Sequence, residues 1–206
     1  DALCHICLCA RLLYITNIYY LDKDLEKAVS NIADRLHTNN YSSVTDYASN
    51  DDVLLFYDGL GLNDHGLAQI YLEALCKVKK VVYVTFEDRI ELIPDIMVIL
   101  DKYGCDKRYI NRSGSSYINQ INQLNSIIKE FRPKHMFVHT VPYDVVAIPV
   151  LYSYEGFFTR YQINITDHAF WLGVGCIDKC LEFREYGARL SYSYRDIPKS
   201  NIIVIP

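Results

Sequence analysis

The stretch VLLFYDGLGLNDHGLAQIYLEALCKVKKVVYVTFE, Val53–Glu87, decides the fold class. It opens on a continuous apolar run that stops at Asp58. A loop with three glycines, Gly59, Gly61 and Gly66, follows. The next residues place Leu67, Ile70, Tyr71, Ala74 and Leu75 on one helical face, and VVYVTFE is a second β-branched run. Strands that are apolar on both faces and alternate with helices imply a parallel sheet covered on two sides.

The alternation continues downstream. DIMVILDKYG reads as a helix, with Pro94 at its start and Gly104 at its end. KRYINR reads as a short strand, and SYINQINQLNSIIKEF as a helix buried through Ile118, Ile121, Leu124, Ile128 and Phe131. HMFVH and FTRYQINIT are strands, LGVGCIDKCLEFREYG a helix, and NIIVI the last strand. YDVVAIPVLYSY could be either element; Pro149 fits a central strand poorly, which favours a helix. The fold class is therefore α/β, a Rossmann-like parallel sheet with helices on both faces.

Upstream, DKDLEKAVSNIADRLH (22–37) is an amphipathic helix with Leu25, Val29, Ile32 and Leu36 on its apolar face. The polar run TNNYSSVTDYASNDD reads as a loop into the main domain. This divides the chain into an N-terminal helical segment, 1–50, and the Rossmann-like domain, 51–206. The opening LCHICLCARLLYITNIYYL is interrupted by His5, Arg11 and Asn17, so it falls short of a membrane span of roughly 20 apolar residues. It also lacks the order of a secretory leader. The chain starts at Asp1 and ends on IIVIP, which suggests a piece of a longer protein.

Half of the 206 residues are hydrophobic, enough for a sizeable core. The formal charge of -4 and the absence of a basic block disfavour nucleic acid as a partner. Seven cysteines without a regular framework read as reduced thiols in a cytoplasmic protein, with a membrane-peripheral position left open. Cys4, His5, Cys7 and Cys9 match no standard zinc spacing, so no metal is expected.

In an open parallel sheet the strand C-terminal ends share one edge, and ligands bind outside it. Here the tips bring Asp58 and Gly59, then Thr85 to Asp88, His139 and Thr140, and Asp167 and His168 to that edge. The loop Asp58–Gly66 precedes a helix N-terminus suited to an anion, and His65 lies in it, but its glycine spacing is not a dinucleotide fingerprint. An imidazole at the tip is the natural base for a hydroxyl, which singles out His168. Side-chain alternation predicts that Asp167 and His168 point apart and do not pair. Trp171 fits core packing better than a ligand platform. There is no GxSxG elbow or Walker A sequence.

NITDHAFWLG, with DKCLEFREYGARLS and RDIP, and with YDGLGLNDHGLAQIYLEAL and HTVPYDVVAIPVL, resembles the N-terminal half of bacterial glycosyltransferases of the GT-B fold. The resemblance runs from about Val53 to Pro206, and TDHAFW is its most specific element. It implies the acceptor-side half of a hexosyltransferase-type enzyme that moves a sugar from a nucleotide-sugar donor to an acceptor hydroxyl. It also implies a donor-binding C-terminal domain as partner, without which this half would be inactive.

The resemblance implies no cofactor beyond the nucleotide-sugar co-substrate. The acceptor would be a glycan, a protein or a small molecule. His168 would be the base, with Asp167 beside it. Asp58, Gly59, Gly61, His65, His139, Thr140, Tyr143 and Trp171 would line the cleft. Arg184 would contact an anionic group or pair with a nearby acid. A non-catalytic Rossmann-like binding or assembly module is the alternative.

Overall fold

The computed structural model describes residues 1–40, 47–63 and 66–205, the side chains of 37–40 excepted. Part of the loop read at 38–52 and His65 therefore lie outside the described residues. Two helices come first, α1 (Ala2–Thr16) and α2 (Lys23–Asn40). Then follow β1 (Asn50–Asp58), α3 (Leu67–Cys76), β2 (Lys80–Phe86), α4 (Pro94–Lys102), β3 (Asp106–Ile110), α5 (Tyr117–Phe131) and β4 (Pro133–His139). The chain continues as α6 (Ala147–Ser153), β5 (Thr159–Ile163), β6 (Lys179–Glu182), α7 (Glu185–Tyr194) and β7 (Ile202–Val204).

The seven strands form one sheet in the order β3-β2-β1-β4-β5-β6-β7, and every pairing is parallel. Alternation along β1 shows why both faces are covered. Val53, Leu55 and Tyr57 enter one core with α1, α2, α5 and α6, whereas Leu54 and Phe56 enter the other with α3 and α4. The chain runs outward from β1 to β3 and returns beside β1 as β4. The topological switch point therefore falls between β1 and β4.

The helices at the start of the chain are built into the same core as the sheet. Leu3, Ile6, Ala10 and Val29 are buried there. Glu26 of α2 is clasped by the backbone N–H groups of Gly173 (2.6 Å), Val174 and Gly175 (3.2 Å each) and by the Tyr152 hydroxyl (2.5 Å). Glycine is required at both ends of this cradle. Gly173 has φ +103°, and a Cβ on Gly175 would meet the Tyr152 hydroxyl at 2.5 Å. Among the described residues no helix is long and apolar enough to cross a membrane.

Two local readings of the sequence are corrected. LGVGCIDKCLEFREYG is not one helix: it holds a 3-10 turn at Val174–Cys176, strand β6 and the start of α7. On α3 the buried positions are Ala68, Tyr71 and Leu72, and Ile70 is exposed. The buried stripe is displaced by about one residue from the apolar face read in the sequence. YDVVAIPVLYSY does form a helix, α6, and Pro149 sits in its first turn.

Candidate functional site

Parallel register brings the tips of the three central strands level, since Asp58 pairs with Thr85 on one side and His139 on the other. The Asp58 carboxylate is fully buried and accepts from the Tyr83 hydroxyl (2.7 Å) and the Gly61 N–H (2.9 Å), with His139 Nδ1 at 2.9 Å. Thr85 Oγ1 donates to the Asp58 carbonyl, and the Gly59 N–H to the His139 carbonyl. A second buried carboxylate, Asp144, accepts from Tyr57, from Thr140 and from the N–H groups of Val146 and Ala147. Asp58 and Asp144 thus fold the two loops at the switch point.

These loops form one wall of a cleft of about 620 Å³, a volume typical of ligand sites. The N-terminus of α5, Ser115–Tyr117, forms another wall, and the Ser116 hydroxyl caps it through Asn119. Three arginines, Arg11, Arg89 and Arg112, line the cleft. Arg112 stacks on Phe86, with its guanidinium 3.6 Å from the ring centroid, and lies 3.7 Å from Asp88. Among the described residues neither Arg11 nor Arg89 has a carboxylate within ion-pair distance, and the Nε of Arg89 is buried without a hydrogen-bond partner. Asp1 also lines the cleft, but its carboxylate caps α1. Three guanidinium groups beside a helix N-terminus create a field that attracts an anion.

Of the residues singled out by sequence, Gly59 and Tyr143 line this cleft, and Arg11 stands over the Tyr143 ring. Asp58, His139 and Thr140 lie beneath its floor, each at most 4% exposed. Gly61 packs against the Arg89 side chain, where a Cβ would come within 2.7 Å. Trp171 is buried with Cys180 and Ile197, away from the cleft lining.

The loop carrying Asp167 and His168 runs alongside, tied to the cleft wall by the Leu172 N–H and the Pro142 carbonyl (2.8 Å). Contrary to the alternation expected of an extended chain, His168 Nδ1 lies 3.3 Å from Asp167 Oδ1. The strand ends at Ile163 and the chain turns at Thr166–Ala169, so both side chains reach the same side. His168 remains largely exposed, with its side chain 63% accessible.

Arg184 holds Asp167 in a forked ion pair at 2.6 and 3.0 Å. The Arg184 hydrogen bonds hold this carboxyl below the usual range, against the opposing effect of burial. A depressed folded-state pKa contributes stability above the ordinary carboxylate pKa, and that stability is lost as pH falls through the folded value. Replacing Arg184 with alanine is expected to move the Asp167 titration upward when followed by NMR. An unmoved titration would refute the pairing.

Fully buried Arg195, from the end of α7, explains the loop's shape. Its Nη2 donates to the carbonyls of Thr166 (3.0 Å), Asp167 (2.9 Å) and Ala169 (2.7 Å). Its Nη1 reaches Ser191 (3.2 Å), whose hydroxyl bonds the buried Glu182 carboxylate. Glu182 also accepts from Asn164 at 2.8 Å.

Seven parallel strands, the β1/β4 switch and helices on both faces settle the architecture. The fold is Rossmann-like, of the GT-B half-domain type. A Listeria monocytogenes protein assigned as a UDP-N-acetylglucosamine 2-epimerase is similar in structure, with a TM-score of 0.53 and 12% identity over 75% of this chain and 45% of that one. A second UDP-N-acetylglucosamine 2-epimerase is similar at a TM-score of 0.53 and 9% identity, over 75% of this chain and 48% of that one. The matched part thus amounts to under half the length of those structures. No protein-family model matches the sequence, and comparison with curated proteins gives no match. The arginine cleft and the His168 loop lie at the edge formed by the C-terminal ends of the strands, where open parallel sheets as a class bind ligands.

Proposed function

We propose that this chain is one half of a nucleotide-sugar-processing enzyme and that its arginine cleft holds the anionic part of the ligand. The cleft itself carries the reading: two cations without carboxylate partners among the described residues, a third stacked on Phe86, and a helix N-terminus beside them. The likeness to two proteins assigned as UDP-N-acetylglucosamine 2-epimerases agrees with a sugar nucleotide as ligand class.

The reaction we assign is transfer of the sugar to an acceptor hydroxyl, with His168 as the base. Asp167 positions the imidazole at Nδ1, and the largely exposed side chain leaves room for a hydroxyl to approach. The second domain of a GT-B enzyme would close the other side of the cleft, and binding there would orient the sugar for attack. Epimerisation is the second reading, favoured by the activity assigned to the similar structures.

The test uses the full-length protein with a panel of nucleotide sugars that includes UDP-N-acetylglucosamine. Calorimetry is expected to show binding that weakens about 10- to 100-fold in Arg89→Ala and in Arg112→Ala, as loss of a charge-assisted hydrogen bond would cause. Release of nucleoside diphosphate that depends on an acceptor supports transfer, and a new sugar epimer supports the second reading. His168→Ala is expected to slow turnover by about two orders of magnitude while leaving binding intact. Absence of binding to every nucleotide sugar would overturn the proposal in favour of an assembly module.

A further inference from the structure

Cys76 closes α3, and Cys105 stands just before β3, at the end of the sheet opposite the cleft. Their sulfurs are 3.4 Å apart, and both side chains are half-buried. Cys76 is followed by a turn and Cys105 is preceded by one. The N–H groups of Val78 and Lys79 fold back on the Leu75 carbonyl, while Cys105 N–H bonds the Leu100 carbonyl and Gly104 N–H that of Asp101. Gly104 has φ +63°, and a Cβ there would meet nothing within 4 Å. A disulfide needs the sulfurs at about 2.05 Å, so a shift of roughly 1.3 Å is required. Side-chain rotation at the end of α3 and in the link before β3 can supply it without moving a strand.

We propose that Cys76 and Cys105 form a reversible dithiol–disulfide site that takes a small-molecule disulfide as its oxidant. The Cys105 thiolate attacks one sulfur of the oxidant, forms a mixed disulfide and expels one thiolate. Cys76, once deprotonated, attacks the Cys105 sulfur and expels the second. Two protein thiols and one oxidant disulfide become one protein disulfide and two small thiols, and a dithiol reductant reverses the exchange. Burial, then the contact with Cys105, pushes the Cys76 thiol up to about 12, and burial also raises Cys105. Oxidation is therefore slow at neutral pH and accelerates as pH rises.

The bond would join the β1-α3-β2 and β2-α4-β3 units on one face of the sheet. Closing a 29-residue separation restricts the unfolded chain, and the melting temperature of the oxidised protein is expected to rise by roughly 5–10 °C.

The full-length protein is incubated with oxidised glutathione at pH 9, quenched with acid, alkylated and digested with trypsin. Mass spectrometry should find Leu36–Lys77 linked to Tyr103–Lys107, and the melting temperature should rise. Cys76→Ser and Cys105→Ser should each abolish both changes. The exposed Cys4 and Cys9 serve as the internal standard for thiol oxidation. If they are fully modified while Cys76 and Cys105 stay reduced, or carry separate glutathiones, the proposal is overturned.

Discussion

Replacing Arg195 with leucine is expected to lower the free energy of unfolding by about 3–5 kcal/mol, the range for breaking a buried charged network from one side. The substitution removes the donors of three buried carbonyls, at Thr166, Asp167 and Ala169, and leaves the Glu182 carboxylate without its nearby cation. Arg195→Lys keeps the charge, but one ammonium cannot reproduce a planar fork that serves three carbonyls and Ser191. It should lose most of the same stability. Urea unfolding at neutral pH gives the number. A loss below about 1 kcal/mol for the leucine variant would mean that the loop holds its shape by itself.

The second large effect is expected at Glu26. Alanine there strands three backbone N–H groups and the Tyr152 hydroxyl in a site where Glu26 is 8% exposed. Hydrogen bonds to an ionised group contribute about 1.5–3 kcal/mol each and do not sum, so a total loss of about 3–4 kcal/mol is expected. Glutamine should recover only part of this, because its amide turns two donors toward donors. A double-mutant cycle with Tyr152→Phe should show coupling of about 1 kcal/mol. Additive losses would show that the clasp is not a unit.

Much of the sheet was legible because the central strands are apolar on both faces and each stops at a polar tip. The rule that ligands gather at strand C-terminal ends pointed to Asp58, Gly59 and His139. Gly59 lines the cleft, Asp58 and His139 lie buried beneath it, and Tyr143, which only the resemblance implied, lines it too. The arginines were missed. Arg89 and Arg112 follow the tips of β2 and β3, so the same rule covers them, but a lone Arg in a polar loop gives no period to detect. Arg11 reaches the cleft from α1, a tertiary contact that no local pattern encodes.

Strand β6 was hidden because Leu172, Cys176 and Cys180 recur every four residues and imitate a helix. Gly173, Gly175 and Asp178 were the contrary signal. The Asp167–His168 pairing was misread because alternation holds only while the chain stays extended.

The β1/β4 seam at the middle of the sheet bears on how the protein is made. Asp58 meets His139 across a separation of 81 residues, whereas its pairing with Tyr83 spans 25. During synthesis β1, β2 and β3 can assemble first. The half of the floor that contains Asp144 and His139 arrives only after α5 has crossed to the other face. Closing so long a loop is slow. A ribosome-bound chain halted within α5 would expose the β4-facing edge of β1, Leu54 to Asp58, as an unpaired apolar strand. The edge that organises the cleft in the finished protein is, during that interval, the segment most in need of a chaperone.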